Sequence, residues 1–131
     1  MPLERKIGGN KERGDNQMEP TAKELHIEAL IQEELERIIE EHGLFVDDHQ
    51  AYAVIREEVE EAEDEIIILK ESMDELWKRV RNDDLDNLDI MESLQLHGIE
   101  LIKEGVQVVA CARKYDRGHL KQWIEKRAEK V

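Results

Sequence analysis

The sequence is poor in residues that several common kinds of protein need. Cys111 is the only cysteine, which excludes an intramolecular disulfide and a zinc-ribbon cluster. Aromatic residues make up 4% of the chain, so aliphatic side chains must supply most of any core. There is no long apolar run, and the polar start MPLERKIGGNKERG lacks the pattern of a signal peptide. We therefore expect a cytoplasmic protein with no membrane partner.

What the chain has in excess is negative charge, with a formal net charge of −14. Residues 21–110 contain 26 Asp or Glu against eight Lys or Arg, whereas residues 111–131 contain three against seven. This balance argues against DNA, RNA and anionic membranes as general partners. An acidic body with a basic end can instead bind cations in one place and phosphate groups in another.

The length and the spacing of apolar residues predict one all-α domain. A chain of 131 residues fits a single domain. Residues 1–20 carry both prolines and show no hydrophobic period, which predicts a flexible N-terminal arm. Residues 21–131 then form the helical domain. It opens with the capping box TAKE at residues 21–24, which predicts a shorter first helix that ends at Gly43.

Two long amphipathic helices and a short one follow. The first long helix is predicted over about residues 48–81, with Asp47 or Asp48 as its N-cap, and the second over about residues 88–115. A polar turn joins them. Residues 119–131 predict a short basic C-terminal helix, which completes an antiparallel helical bundle. Its expected contacts with the body are Leu120, Trp123, Ile124 and Arg127.

Each long helix carries an apolar seam in steps of three and four, which we expect to pack inside the bundle. The first seam is Ile55, Val59, Ala62, Ile66, Leu69, Met73, Leu76 and Val80. The second includes Gly98 and Gly105, which are seven residues apart and therefore lie on the same face of the helix. Glycine inside a helix costs about 0.5–1 kcal/mol relative to alanine. Two on one face therefore predict a closely packed neighbour, and this face is the one that two protomers would share.

A second stripe on the first long helix raises the question of function. The segment REEVEEAEDEI (56–66) places Glu58, Glu61 and Glu65 in steps of three and four, between apolar residues at both ends of the stripe. If those ends are buried, the three carboxylates cannot all face water, and they need protons or cations. Glu57 lies on the opposite, solvated side.

The next helix has a matching polar stripe. It consists of Ile90, Ser93, His97, Glu100, Glu104, Gln107, Cys111 and Lys114. If the two long helices are antiparallel neighbours, Glu58 and Glu61 approach Glu104 and Gln107. Oxygen ligands from two helices suit a hard cation such as Mg²⁺ or Mn²⁺. The alternative is that both stripes are ordinary solvated faces and that His97 is a hydrogen-bonded packing residue.

These motifs resemble those of a known enzyme superfamily. EEVEE (57–61) on one helix and EGVQ (104–107) on the next are similar to the EExxE and ExxD motifs of the all-α NTP pyrophosphatases, which include the MazG-like proteins and dimeric dUTPases. The flanking AYAVIREEVEEAEDEI and EGVQVVACARKYDRG resemble small MazG-like proteins of phages and prophages, over residues 45–118. The resemblance implies a homo-oligomeric helical bundle that hydrolyses a nucleoside triphosphate to the monophosphate and pyrophosphate, with Mg²⁺ as cofactor.

Carried onto this sequence, the resemblance implies Glu58, Glu61 and Glu104 as metal ligands and Glu57 as a catalytic helper to the attacking water. Gln107 stands where the family has Asp. Its carbonyl oxygen can bind a metal, but the site loses one negative charge, and Mg²⁺ binding should weaken. Whether the protein is an enzyme is therefore open. The alternative is a catalytically silent relative that binds or sequesters nucleotides, or an acidic inhibitor of a basic protein.

Other residues are candidates for supporting roles. Glu100, one turn before Glu104, can compensate for Gln107, and Glu65 and His97 can support the ligands. The basic residues after the acidic stripe are candidates for binding the phosphates: Arg113, Lys114 and Arg117. The alternative is that these cations only complement the helix dipole. A purely structural coiled coil, in which the polar stripes bind nothing, also stays open.

Overall fold

The computed structural model describes residues 19–129, and these form three helices with no strand. Helix α1 spans Ala22–His42, α2 spans Asp48–Arg81 and α3 spans Leu88–Glu129. The third helix packs against both of the others. The predicted all-α class is therefore confirmed. The predicted arm at residues 1–20 lies outside the described residues, apart from its last two positions.

The helix ends follow the signals in the sequence. The backbone N–H of Thr21 donates to Glu24 Oε1 at 2.9 Å, and that of Glu24 donates to Thr21 Oγ1 at 3.1 Å, which completes the capping box. Gly43 ends α1 with a φ of 74°, a conformation that favours glycine. Asp47 caps α2 by accepting a hydrogen bond of 2.9 Å from the backbone N–H of Gln50.

The predicted separate C-terminal helix is wrong, because α3 continues without a break through residue 129. Gly118, where the break was expected, is buried and keeps a negative φ. A Cβ at this position would lie 3.7 Å from Leu44 Cβ, an ordinary van der Waals distance, so the loop after α1 packs closely here without requiring a glycine. Leu120, Trp123 and Ile124 are about half exposed and do not dock on the body as expected.

A ladder of polar contacts joins α2 to α3. The contacts pair Arg79 with Asp89, Ser72 with Ser93, and Glu65 with His97. From pair to pair, the residue number on α2 decreases while that of its partner on α3 increases. The two helices therefore run in opposite directions along their interface. The Arg79 guanidinium donates to both Asp89 carboxylate oxygens, at 2.7 and 3.0 Å, and ties the turn between the helices.

The core is small and lies where α1 meets α3. Leu35 is 2% exposed and packs with Ile38, Ala110 and Cys111. Phe45, from the loop after α1, packs against the edge of this cluster with other half-buried side chains. Burial raises the pKa of the Cys111 thiol, consistent with a core residue. Away from this cluster, Ile90 on α3 is also buried, at 5% exposed.

The apolar seam of α2 is only partly packed, contrary to the expectation. Val59, Ile66, Met73 and Val80 are between 39% and 51% exposed, because α2 turns its polar stripe toward α3 instead. On α3, no atom lies within 4 Å of where a Cβ would stand at the two seam glycines, Gly98 and Gly105. The close neighbour predicted there is absent from the described chain. None of the three helices combines the length and apolarity needed to cross a membrane.

Candidate functional site

Three carboxylates converge where the polar stripes of α2 and α3 face each other. Glu58 and Glu61 lie one turn apart on α2, so they share a face, and Glu104 faces them from α3. One oxygen from each lies within 4.8 Å of the other two. The structure thus brings together the three glutamates expected to meet. Three oxygens at this spacing, from two helices, form a donor set for a hard divalent cation.

The electrostatics of this triad favour a bound positive charge. Burial, together with the negative charges of Glu61 and Glu104, raises the pKa of Glu58 to about 7. Burial and the charge of Glu61 also raise the pKa of Glu104. One carboxylate oxygen of Glu58 lies within 4.8 Å of one of Glu104, so a proton on either residue relieves their repulsion. With its pKa raised to about 7, Glu58 holds a proton at a higher pH than an ordinary glutamate does.

Glu104 carries an oxygen that the protein leaves without a partner. Its Oε1 is buried and accepts no hydrogen bond from the described part of the chain. Buried polar atoms are nearly always satisfied, and an orphaned one points to a group that the protein alone does not provide. A divalent cation held by the three carboxylates would satisfy this oxygen. The residues present therefore fit the Mg²⁺ or Mn²⁺ that the sequence predicted.

The neighbours of the triad on α3 divide into two kinds. Gln107 is half-buried and lines a cavity together with Glu58, one of the three carboxylates. Glu100 is half-buried, and its charge contributes to the raised pKa of Glu104. Its carboxylate also accepts a hydrogen bond of 3.3 Å from Lys103. Gln107 stays a candidate ligand and Glu100 a candidate supporting acid.

The other acidic candidates on α2 occupy different surroundings. Glu65, one turn beyond Glu61, is joined to His97 Nδ1 at 2.7 Å across the interface. This contact gives His97 the packing role that was the alternative prediction for it, while it also holds the helices together next to the triad. Glu57 is exposed and lies outside the convergent group. Its catalytic role stays a prediction.

A cavity of about 310 Å³ opens beside the triad, between α1, the start of α2 and α3. It is lined by Arg37, Ile38, His42, Phe45, Gln50, Val54, Glu58, Gln107, Cys111 and Lys114. Lys114 is 6% exposed, and its ammonium lies over the Phe45 ring, 4.2 Å from the centroid. Burial lowers the pKa of this ammonium. Glu58 therefore belongs both to the triad and to the lining of the cavity, which it shares with Gln107.

The structure separates the three basic candidates. Lys114 points into the cavity, whereas Arg113 turns to α1 and binds the Glu28 carboxylate through both Nη atoms, one of them at 3.0 Å from Oε1. Arg117 is exposed and does not line the cavity. Of the three, only Lys114 is placed to reach a ligand at the triad.

Sequence reasoning missed the cavity wall supplied by α1 and its following loop. Arg37, His42 and Phe45 line the cavity with Lys114 because α1 packs against α3, and no spacing along one helix indicates this packing. The one available signal was Phe45, the only phenylalanine of the chain, placed between two predicted helices.

Comparison with known proteins adds no assignment to this site. The chain matches no family model, no curated protein and no solved structure.

Proposed function

We propose that this protein is a Mg²⁺- or Mn²⁺-dependent nucleoside triphosphate pyrophosphohydrolase of the MazG-like kind, with an antiparallel helical bundle as its fold. The observation that supports this function best is the convergence of Glu58, Glu61 and Glu104 around an unsatisfied buried oxygen. A cytoplasmic location and a nucleotide partner are parts of the same proposal.

In this proposal, the side chains of α2 and α3 prepare a site for the phosphate chain. Glu58, Glu61 and Glu104 hold the metal, which when bound supplies positive charge against the phosphate oxygens and lowers the pKa of water. Glu58 releases its proton as the site is loaded, because a protonated carboxyl is a poor ligand. Water then adds to the α-phosphorus, and the bond to the pyrophosphate oxygen breaks. Glu57 is the proposed helper to that water.

The second candidate is a silent relative that binds nucleotides without hydrolysing them. It is favoured by Gln107, a neutral amide beside Glu58 where the family motif carries a carboxylate. Its carbonyl oxygen can still bind a metal, but it adds no negative charge to oppose the charge of the cation. An inhibitor of a basic protein would instead use outward acids such as Glu57, and its binding would weaken with salt.

We further propose that the working form is a homo-oligomer. The buried apolar core of the described residues is small, while the α2 seam exposes Val59, Ile66, Met73 and Val80 along one face. Open space at Gly98 and Gly105 leaves room for a helix to approach α3 closely. A second copy of the chain offers the same apolar face, so a two-fold pairing would cover both at once.

The enzyme proposal is tested by pyrophosphate release from a panel of NTPs and dNTPs with Mg²⁺ or Mn²⁺. The wild type is compared with Glu61→Gln and with Glu71→Gln, an equal charge change on the solvated side of α2. We expect turnover that Glu61→Gln lowers by about 100-fold or more and that Glu71→Gln preserves. Nucleotide binding without turnover would favour the silent relative. Absence of both, or full activity in Glu61→Gln, would contradict the proposal.

A further inference from the structure

Lys114 is the one buried charged residue in the described part of the chain that lacks an ion-pair partner. It is 6% exposed, and no carboxylate of residues 19–129 lies within ion-pair distance of its ammonium. Its visible contact is the face of the Phe45 ring, which offsets only a part of the cost of removing a cation from water. Buried charges are normally paired, so this one points to an anion that the protein does not supply.

The walls of the cavity indicate what surrounds that anion. Ile38, Phe45 and Val54 form an apolar wall of the cavity. The cavity as a whole is large enough for a molecule bigger than a simple inorganic ion. Gln50 Oε1 accepts a hydrogen bond of 2.7 Å from the backbone N–H of Val46, which leaves the amide N–H groups of Gln50 to meet a ligand. The cavity therefore offers a cation, amide donors and an apolar surface together.

The position of the cavity relates the anion to the carboxylate triad. Glu58 and Gln107 belong to its lining, so an anion at Lys114 lies next to the place where the carboxylates would hold a cation. Cys111 lines the same cavity and lies between Gln107 and Lys114 along α3. A cation site and an anion site that share a wall suit a phosphate ester bound with a metal.

We propose that the cavity is the subsite for the nucleoside monophosphate part of the substrate. Lys114 binds the phosphate group, and the nucleoside lies against Ile38, Phe45 and Val54. This inference rests on the proposed function for its choice of a nucleotide, but the binding step needs neither metal nor turnover. The monophosphate is also the product that remains in the cavity after the pyrophosphate has left.

The test measures binding of nucleoside monophosphates to the whole protein by titration calorimetry with EDTA present. Lys114→Met removes the charge and keeps most of the length of the side chain. Lys103→Met is the matched control, because Lys103 lies on the same helix but is exposed and outside this cavity. Gln50→Glu keeps the acceptor for the Val46 N–H and replaces the amide donors with a negative charge.

We expect at least one monophosphate to bind the wild type and the Lys103→Met variant equally, with affinity lowered about tenfold or more in Lys114→Met and in Gln50→Glu. The same monophosphate should bind better than inorganic phosphate and better than its nucleoside. The unliganded Lys114→Met variant should unfold at the same or a higher temperature than the wild type, because it no longer buries an unpaired cation.

The failures of the two proposals can be told apart. Equal binding by Lys114→Met and the wild type, or equal affinity for inorganic phosphate and every monophosphate, would overturn the subsite even if the protein hydrolyses triphosphates. Lys114-dependent monophosphate binding in a protein that shows no turnover would support the subsite and contradict only the enzyme. No binding of any monophosphate to the wild type would also overturn the subsite.

Discussion

Glu58 on α2 and Glu104 on α3 face each other across the helix interface, with one carboxylate oxygen of each within 4.8 Å of the other. Two negative charges this close repel each other, and burial together with the neighbouring charges raises the pKa of Glu58 to about 7. Below this pH, Glu58 holds a proton where a cation of higher charge could stand. The proton stabilises the metal-free protein, and a metal must displace it in order to bind.

The metal-free protein should become less stable as the pH rises through the neutral range. The pKa of Glu58 is raised from its ordinary 4.5 to about 7 in the folded state, so the folded state binds more protons than the unfolded state between these values. The stabilising effect of the neutral form is complete below pH 4.5 and is lost as the pH rises through 7. Thermal unfolding between pH 5 and 8 measures this slope. The decrease in unfolding temperature with rising pH should be smaller in Glu58→Gln. An equal decrease in both proteins would contradict the raised pKa of Glu58.

Metal binding should show the opposite dependence on pH. Mg²⁺ or Mn²⁺ must displace the proton of Glu58, so its affinity should rise by up to about tenfold for each pH unit until the pH passes the pKa. Calorimetric titrations at pH 6 and pH 8 measure the change. An affinity that does not vary with pH would mean that the metal binds elsewhere.

Glu104→Gln should separate binding from folding. The substitution keeps the shape of the side chain and removes one of the charges that crowd the triad, so the metal-free variant should be at least as stable as the wild type. Its affinity for Mg²⁺ should fall by about tenfold or more. Glu92→Gln, an exposed position on the same helix, is the control and should change neither quantity.

Leu35→Ala tests the core at the junction of α1 and α3. Leu35 is 2% exposed within the main buried cluster, and its truncation should lower the free energy of unfolding by about 2–5 kcal/mol. Leu30→Ala removes the same atoms from a position that is 48% exposed and should cost much less. Urea denaturation at a fixed protein concentration measures both, and equal losses would contradict the described packing of α1.

Met73→Glu tests the proposed contact between copies. It places a charge in the exposed apolar seam, where a second copy would bury it, so we expect the oligomer to dissociate. Lys70→Glu introduces the same carboxylate on the solvated side of α2 and is the control. Light scattering coupled to size exclusion measures the mass of each species. A monomeric wild type, or an intact oligomer in Met73→Glu, would contradict the proposal.

Gly118→Ala tests the continuity of α3. The position is helical, its φ is not positive, and an added Cβ would only reach van der Waals contact with Leu44. Alanine should therefore stabilise the protein by about 0.5–1 kcal/mol through its helix propensity. A loss of stability would indicate that the chain bends at Gly118, as the sequence alone suggested.

The helices could be predicted closely because their ends carry local chemical signals. The capping box of Thr21 and Glu24, the positive φ of Gly43 and the cap at Asp47 all depend on residues within four positions of one another. The break predicted between residues 115 and 119 was wrong, because a glycine within a continuous helix, here Gly118, looks the same in a sequence as one that ends a helix.

The carboxylate triad was accessible to sequence reasoning, whereas the cavity was not. Glu58 and Glu61 follow helical spacing, and a short turn made α3 the natural neighbour of α2, so Glu104 could be expected opposite them. Phe45 lies beside Lys114 because α1 packs against α3, which depends on contacts between distant segments. The prediction that the aliphatic seam of α2 packs inside the bundle was wrong for its exposed half, because the period of a seam does not indicate which neighbour covers it.

Mn²⁺ binding followed by electron paramagnetic resonance shows whether Glu58, Glu61 and Glu104 hold one divalent cation. Free Mn²⁺ is counted in the presence of the wild type, of Glu61→Gln and of Glu71→Gln. We expect one Mn²⁺ site in the wild type and in Glu71→Gln, with affinity lowered about tenfold or more in Glu61→Gln. Mn²⁺ that stays free with the wild type, or that binds Glu61→Gln equally well, would contradict this expectation.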